Sequence, residues 1–463
     1  MSDSSSQRAK LSQRAEPSHK SRLAGKGLYI AVAAWFALVL VGGLCTWYGW
    51  MAPSEVDATP TPDARPVEDP TEPARPEEND DEDPVADPSP LPGIDPADTP
   101  EPTPVEEGEF GYGIALNAVG GGDPAYWLGQ VESLGMGWVK QQIKWRDWEG
   151  TPGEMDWSGF DAFVDEAVRR DLKIMFSVVD APEWSRSRIY PEMEGGPPDN
   201  LGVMADFLER LIDRYEGRIH AIEVWNEQNL DREWDTAEGV DAGRYVELLR
   251  LSYGAIKSRD PDIMVISGAL SPTGGRGIDP DDPDRVIWLD DFEYFDQMIE
   301  LGALNYADCV GAHHNGINLP PDVEWDEGYD DPTAEFRGPF DNPHHSWSFK
   351  STLWGYHERI QAAGYDLPLC VTEFGWASAE GFDGYPQGFE FALDNTLEQQ
   401  AEWNVRAFQL MREWGFVRLA FLWNLNYSQL GFGPEDPNAP YGIIDMEGAP
   451  RPAFEAIREM ERP

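Results

Sequence analysis

The chain has 463 residues, a formal net charge of −50 and a sequence pI near 4.2. Such a strong negative charge argues against nucleic acid as a partner, and against an anionic polysaccharide unless a local basic patch overrides it. The length is compatible with several domains or with one large α/β barrel, since such barrels often exceed about 250 residues.

The N-terminal segment is predicted to anchor the chain in a membrane. Residues 1–26 are polar and basic, and residues 27–51 are almost wholly apolar and uncharged. At about 1.5 Å per residue the apolar run reaches about 37 Å, enough to cross a hydrocarbon core of about 30 Å. The Lys and Arg residues before the run predict a cytoplasmic N-terminus and a single-pass protein of the cell membrane, with everything after Met51 outside. A cleaved signal peptide or lipidation at Cys45 fits less well, because the run is long and Leu44 is unfavourable before a lipidated Cys.

Residues 52–108 are predicted to be a disordered stalk. The segment is rich in Pro, Asp, Glu and Thr and contains few large apolar side chains. Such a composition cannot offset the entropy lost on forming a packed core, and its like charges repel one another. We therefore expect an extended spacer between the membrane helix and a globular domain at 109–463.

The globular part alternates short apolar strand-like runs with amphipathic helical runs, which indicates βαβ units and a parallel sheet. Eight such pairs in about 350 residues predict a (β/α)8 TIM barrel. A doubly wound open sheet is the alternative, although no G-x-G-x-x-G follows the first strand. The predicted strands are 110–117, 138–145, 173–179, 221–227, 264–270, 309–313, 369–373 and 418–424. The predicted helices are 126–134, 160–170, 201–215, 244–258, 292–301, 352–363, 397–414 and 453–460.

Two cysteines, Cys309 and Cys370, fall in predicted strands. If His313 and Glu373 both face the barrel mouth, simple alternation points Cys309 inward and Cys370 toward the helices. We therefore predict two buried thiols without a disulfide between them.

Two predicted strands end in a glutamate. The fourth runs into Glu227 and the seventh into Glu373. A carboxylate that ends an apolar strand is costly unless it is paired or used, and chemistry in a barrel lies at the C-terminal ends of the strands. A carboxylate pair across a barrel mouth is typical of glycosidases, with a spacing of about 5–5.5 Å in retaining enzymes and about 6.5–9.5 Å in inverting ones. Glu223 lies about 13 Å deeper along the fourth strand, so we interpret it as a structural ion-pair partner.

The motifs around these two residues resemble glycoside hydrolase clan A. Trp-Asn-Glu-Gln-Asn-Leu at 225–230 is similar to the W-N-E-P-N-L of the family that includes β-xylosidases and α-iduronidases, with Gln228 in place of the usual Pro. Thr-Glu-Phe-Gly-Trp at 372–376 more closely resembles the cellulase-type family, or the exopolysaccharide hydrolases near the xylosidase family. The resemblance covers about residues 110–460.

The resemblance implies a role for individual residues. Glu227 is the general acid/base, with a pKa raised in the free enzyme, and Glu373 is the ionised nucleophile. Asn226 hydrogen-bonds the sugar 2-hydroxyl. His313 matches a strand-six His near the nucleophile, with a core His as the alternative. Trp423 matches the Trp beneath the sugar, with plain core packing as the alternative.

Other tryptophans are candidate substrate platforms. Trp145, Trp148 and Trp184 follow the second and third strands, and Trp376 follows the nucleophile. Indole rings stack well on the apolar faces of sugars. For Trp145, Trp148 and Trp184, packing of the barrel is an equal alternative.

No cofactor and no metal site are predicted. The loop at about 315–347 is long and acidic, which is typical of a lid or a subsite wall. Its pair His344 and His345 shows no i,i+4 ligand pattern. The run at 279–284 lacks the Gly and the terminal Glu of a calcium loop, and we interpret it as a solvated surface loop.

The sequence therefore predicts a membrane-anchored retaining hydrolase of β-glycosidic bonds. Its partners would be a carbohydrate substrate and the membrane, and its oligomeric state cannot be predicted from the sequence. The alternative is a barrel at the cell surface that binds carbohydrate without catalysis.

Overall fold

In the computed structural model, residues 110–187 and 195–462 are described, and they form a parallel eight-stranded sheet surrounded by helices. The barrel strands β1–β8 are Gly111–Ala115, Trp138–Lys144, Lys173–Val179, Ala221–Val224, Met264–Ser267, Val310–Gly316, Leu369–Trp376 and Val417–Leu422. The main helices α1–α8, one after each strand, are Pro124–Ser133, Ser158–Arg169, Gly202–Arg214, Ala242–Arg259, Asp291–Glu300, Phe349–Ala362, Leu397–Trp414 and Pro452–Glu459.

The sheet closes into a barrel. Its strands pair in the order β5-β4-β3-β2-β1-β8-β7-β6. The two edges then meet through a parallel bridge between Ile266 and Cys309, and the Ser267 amide donates to the Cys309 carbonyl over 3.1 Å. The predicted TIM-type barrel of eight parallel strands is therefore confirmed, and the open-sheet alternative is wrong.

Local sequence signals set the helix ends. Helix α7 begins with a capping box, in which the Thr396 side chain accepts from the Gln399 amide and the Gln399 side chain accepts from the Thr396 amide. It ends at Gly415, whose φ of 73° is easily adopted by glycine. Its apolar face, including Phe408 and Met411, is fully buried against the sheet. Helix α7 is therefore fixed beside β7, the strand that carries Glu373.

The barrel interior changes from apolar to charged along the strands. The lower layer is apolar, and above it Lys140 and Glu223 form a fully buried ion pair at 3.2 Å. This pair confirms the structural role predicted for Glu223. The apolar layer consists of Met175, Ala221, Ile266, Cys309, Cys370, Leu419 and Phe421.

The prediction of two free thiols is wrong, because Cys309 and Cys370 form a disulfide across a Cα–Cα distance of 5.8 Å. Strands β6 and β7 shift register between Ala312 and His313, so that His313 pairs with Glu373. The extra residue on β7 breaks the alternation that would have turned Cys370 away from the interior. Cys370 and Glu373 therefore both face the barrel interior.

Replacement of Cys370 by Ser is expected to lower the free energy of unfolding by about 2–4 kcal/mol, because the disulfide constrains the unfolded chain over a sequence separation of 61 residues. Denaturant unfolding without reductant measures the loss. Cys45→Ser is the matched control and should unfold like the parent. Equal stability of the parent and Cys370→Ser would contradict the prediction.

The strand predictions differ from the structure mainly at their ends. The predicted strand 173–179 is observed unchanged, whereas β4 ends at Val224 and β6 continues to Gly316. The loop after β5 contains an antiparallel hairpin, Arg276–Ile278 with Val286–Leu289, that was not predicted. Its exposed tip is the acidic run at 279–284, in agreement with a surface loop.

The predicted basic tail, transmembrane helix and stalk, residues 1–108, lie outside the described residues. Within 110–187 and 195–462, no helix is both long enough and apolar enough to cross a bilayer.

Candidate active site

A cleft of about 600 Å³ opens at the C-terminal ends of the barrel strands. A depression of similar volume, about 590 Å³, lies on the outer surface beside α7, but neither candidate carboxylate lines it. The cleft is the better site because it holds both Glu227 and Glu373. Its other polar and aromatic lining includes Asn117, Gln141, Lys144, Arg146, Trp148, Asn226, Arg232, Asn315, Trp347, Trp423, Tyr427 and Tyr441.

Glu227 follows β4 on a strained backbone. Trp225 and Glu227 have φ values of 79° and 44°, in the left-handed region that non-glycine residues rarely adopt. The turn is held because the Glu227 amide donates to the Ala269 carbonyl and the Trp225 indole donates to the Glu233 carbonyl. Such strain is frequent where a side chain must be aimed at a ligand. Here it directs Glu227 into the cleft.

Glu373 lies within β7, and its carboxylate is contacted by polar side chains of other strands. Lys140 Nζ donates to its Oε1 over 3.0 Å, and Asn315 Nδ2 lies 3.5 Å from its Oε2. Lys140 is fully buried between Glu373 and Glu223. Burial alone would lower the pKa of Lys140, but the two carboxylates outweigh it and raise the pKa above the usual value. Lys140 is therefore a cation that faces the carboxylate of Glu373.

His313 joins the two candidate catalytic carboxylates. Its Nδ1 lies 3.2 Å from Glu227 Oε1 and 3.8 Å from Glu373 Oε2, so these two oxygens are at most about 7 Å apart. This limit is compatible with the spacing of about 5–5.5 Å in retaining enzymes. Burial lowers the pKa of His313, but Glu373 and Glu227 together raise it above its usual value, which favours an Nδ1 proton shared with Glu227.

The charge state of Glu227 differs from the expectation. Burial alone would raise its pKa, but the hydrogen bond with His313 and the charge of Arg232, whose Nη2 is 2.8 Å from Glu227 Oε2, lower it to about 2. The prediction of a raised pKa in the free enzyme is therefore wrong. An acid role requires that substrate binding raise the pKa of Glu227.

Two of the predicted substrate contacts lie in the cleft. Asn226 is nearly buried, and its Oδ1 has no hydrogen-bond partner among the described residues. Trp423 lines the cleft beside Tyr427, with ring centroids 4.5 Å apart. An unsatisfied amide oxygen and an indole ring are suited to a hydroxyl group and an apolar sugar face, respectively. Trp148, one of the undecided tryptophans, also lines the cleft.

The other predicted contacts do not reach the cleft. Trp145 is fully buried and stacks on Phe207 at 4.5 Å, while Trp184 packs edge-on against Trp145. Trp376 is 1% exposed and donates its indole proton to the Leu319 carbonyl. These three tryptophans are part of the barrel wall. Their indole NH groups donate hydrogen bonds within the chain, as is usual for a packed indole.

His313 is also fully buried, so it is not exposed to a sugar. It contacts the carboxylates instead. Lys140 and Arg232 were not singled out by the sequence motifs, although each contacts a catalytic candidate. The available signal for Lys140 was a lysine near the middle of a predicted barrel strand, since an unpaired charge inside a barrel is costly. Arg232 carried no comparable signal.

The structure is similar to several solved glycoside hydrolases. A family 39 glycoside hydrolase from the gut symbiont Bacteroides cellulosilyticus WH2 matches with a TM-score of 0.53 at 17% identity, over 76% of this chain and 63% of that one. The family 39 enzyme from Xanthomonas axonopodis pv. citri gives 0.52 at 16% identity, over 78% and 67%. A glucosidase from Croceicoccus marinus gives 0.51 at 13% identity, over 76% and 66%.

No protein-family model and no curated protein sequence matches the chain, and this chain spans 63% of the length of the Bacteroides enzyme. At these identities the likeness is one of fold. The described barrel therefore resembles the clan A glycoside hydrolases, family 39 among them, as the motifs at Glu227 and Glu373 predicted.

Proposed function

We propose that this protein is a retaining glycoside hydrolase that cleaves β-linked sugars by double displacement. The observation that carries the proposal is the carboxylate pair Glu227 and Glu373, joined by His313 within about 7 Å at the mouth of the barrel. The similarity to family 39 enzymes in fold supports it.

In the first step, a Glu373 oxygen attacks the anomeric carbon while the glycosidic C–O bond breaks, and Glu227 donates a proton to the departing oxygen. In the second step, Glu227 takes a proton from water, whose oxygen attacks the same carbon and releases Glu373. Lys140 orients Glu373 through the 3.0 Å hydrogen bond to Oε1. Asn226 is placed to bind the sugar 2-hydroxyl, and Trp423 to stack on the sugar ring.

The stereochemistry of the product tests this assignment. The full-length chain is incubated with a panel of aryl β-glycosides and β-linked polysaccharides, and the first anomer formed is identified by proton NMR. We expect the β-anomer first. The α-anomer first would establish inversion and overturn the double displacement. A chain that binds these glycans but releases no sugar would favour a non-catalytic binding barrel.

Replacement of Arg232 by Gln is expected to raise the pKa of Glu227, because it removes a positive charge 2.8 Å from the carboxylate. An acid catalyst loses activity as the pH rises through its pKa. The alkaline limb of the pH profile of kcat/KM should therefore move to higher pH.

Arg146→Gln is the matched control, since Arg146 lines the same cleft and pairs with Asp147 and Asp180. Its alkaline limb should coincide with that of the parent. An unmoved limb in Arg232→Gln would show that Arg232 does not control the protonation of Glu227.

The N-terminal sequence supports a proposal for the location of the enzyme. We propose that residues 27–51 hold the catalytic barrel outside the cell membrane, supported by the apolar run and by the basic residues before it. Protease added to intact cells should remove the barrel. Protection of the barrel until the cells are lysed would contradict this location.

A further inference from the structure

Two histidines and an aspartate converge beside the cleft. Asp290, His344 and His345 each offer a ligand atom, and these atoms all lie within 4.8 Å of one another. His345 Nε2 is 3.9 Å from Asp290 Oδ2. The spacing of the His pair along the sequence did not indicate a metal site, because the third side chain comes from the start of α5.

Asp290 has one carboxylate oxygen that accepts hydrogen bonds and one that accepts none from the described residues. Its Oδ1 caps α5 by accepting from the Phe292 and Glu293 amides. Its Oδ2 is buried and has no hydrogen-bond partner among the described residues. Buried carboxylate oxygens are rarely left in this state. Oδ2 is therefore placed to accept a ligand without loss of the helix cap.

Both imidazole rings are held in place. His345 stacks on Phe292, with ring centroids 3.7 Å apart, and its Nε2 lies 3.1 Å from Asp291 Oδ1. Metal binding by this ring therefore uses Nδ1 or replaces the contact of Nε2 with Asp291. His344 Nδ1 lies 3.0 Å from Ser346 Oγ. Both rings are therefore fixed beside Asp290.

We propose that Asp290, His344 and His345 form a site for a divalent transition-metal ion, with Zn²⁺ as the best match. Two imidazoles and one carboxylate suit Zn²⁺ better than Ca²⁺ or Mg²⁺, which prefer oxygen ligands. Ligand atoms around tetrahedral Zn²⁺ are about 3.3–3.4 Å apart for bonds of about 2.0–2.1 Å. The three groups therefore need shifts of under about 1 Å to bind the ion.

The metal would join two parts of the cleft wall. Asp290 is the N-cap of α5, and the two histidines lie at the start of the helical turn that ends at Trp347. Ser346 and Trp347, in this turn, line the cleft. The ion would therefore hold the turn in place without contact with Glu227 or Glu373, neither of which belongs to the cluster.

Metal binding is measured on the full-length chain, purified without a polyhistidine tag and stripped with a chelator. Zn²⁺ binding is followed by titration calorimetry, and Co²⁺ by its visible absorption. We expect one Zn²⁺ per chain and a Co²⁺ spectrum of mixed nitrogen and oxygen ligation with low coordination number. His344→Gln and Asp290→Asn should each weaken Zn²⁺ binding at least about 10-fold.

Asp290→Asn retains a residue that can cap α5, so loss of binding in this variant reports on ligation. His357→Gln is the matched control, because His357 stacks on Phe416 and is not part of the cluster. It should bind Zn²⁺ like the parent.

Equal Zn²⁺ affinity in the parent, His344→Gln and Asp290→Asn would overturn the site, and so would a stripped parent that binds neither ion. If a variant does not fold, the Co²⁺ spectrum of the parent is the test of the metal site. A spectrum of octahedral, water-ligated Co²⁺ is then the overturning result. None of these outcomes depends on glycosidase activity.

Discussion

Replacement of Glu373 by Gln is expected to lower kcat for β-glycoside hydrolysis by about 10³-fold or more. The amide is nearly isosteric but is a very poor nucleophile, so the covalent sugar–enzyme step is lost while the sugar still binds. Because the interaction is made in the transition state, kcat and kcat/KM should fall together. Steady-state kinetics with the best aryl β-glycoside of the panel measures both.

The control for Glu373→Gln is Glu402→Gln, an exposed glutamate on α7, which should retain the activity of the parent. Thermal unfolding of Glu373→Gln shows whether the barrel is intact. Activity equal to that of the parent would show that Glu373 is not the nucleophile. Loss of activity with an unchanged fold would support the chemical role, because Gln preserves the size of the side chain.

Replacement of Lys140 by Met is expected to lower the free energy of unfolding by about 3–5 kcal/mol, because it leaves buried carboxylates without their counter-ion. Lys140 Nζ lies 3.2 Å from Glu223 and 3.0 Å from Glu373, and it also donates to the Thr372 carbonyl. Burial raises the pKa of Glu223, but Lys140 outweighs this and lowers it. That contribution to stability is therefore present at neutral pH and is lost as the pH falls through the lowered pKa.

Two variants identify the cause of the loss. Lys173→Met removes an exposed lysine at the start of β3 and should change stability by less than about 0.5 kcal/mol. The double variant Lys140→Met, Glu223→Gln removes one uncompensated charge and should recover part of the stability. Denaturant unfolding measures all of them. A loss below about 1 kcal/mol in Lys140→Met would show that the buried pair is not needed for stability.

The sequence predicted the barrel well where hydrophobic patterning decides the structure. Strand 173–179 is mostly apolar and was predicted without error, whereas β6 continues through the polar residues His314 and Asn315. Periodicity cannot detect a register shift, and the shift at His313 is the reason why the pairing of Cys309 with Cys370 was not predicted.

The candidate site was predictable only in part. Glu227 and Glu373 were selected as candidates because each ends a predicted strand with a motif. Arg232 lies close to Glu227 in the sequence, but its effect on the pKa depends on the turn geometry after β4. Lys140 acts across the barrel from β2 to β7, and no local pattern reports such a contact. Buried charge networks therefore require the three-dimensional structure.

The ion pair between Arg232 and Glu227 has a consequence for inhibitor design. With a pKa of about 2, Glu227 is negatively charged at neutral pH in the free protein, so the position proposed for the glycosidic oxygen favours a cation. A sugar analogue with a protonated nitrogen at that position would compete with Arg232 for the carboxylate. Such an analogue should bind more tightly to Arg232→Gln than to the parent, whereas an uncharged analogue of the same shape should show no comparable gain.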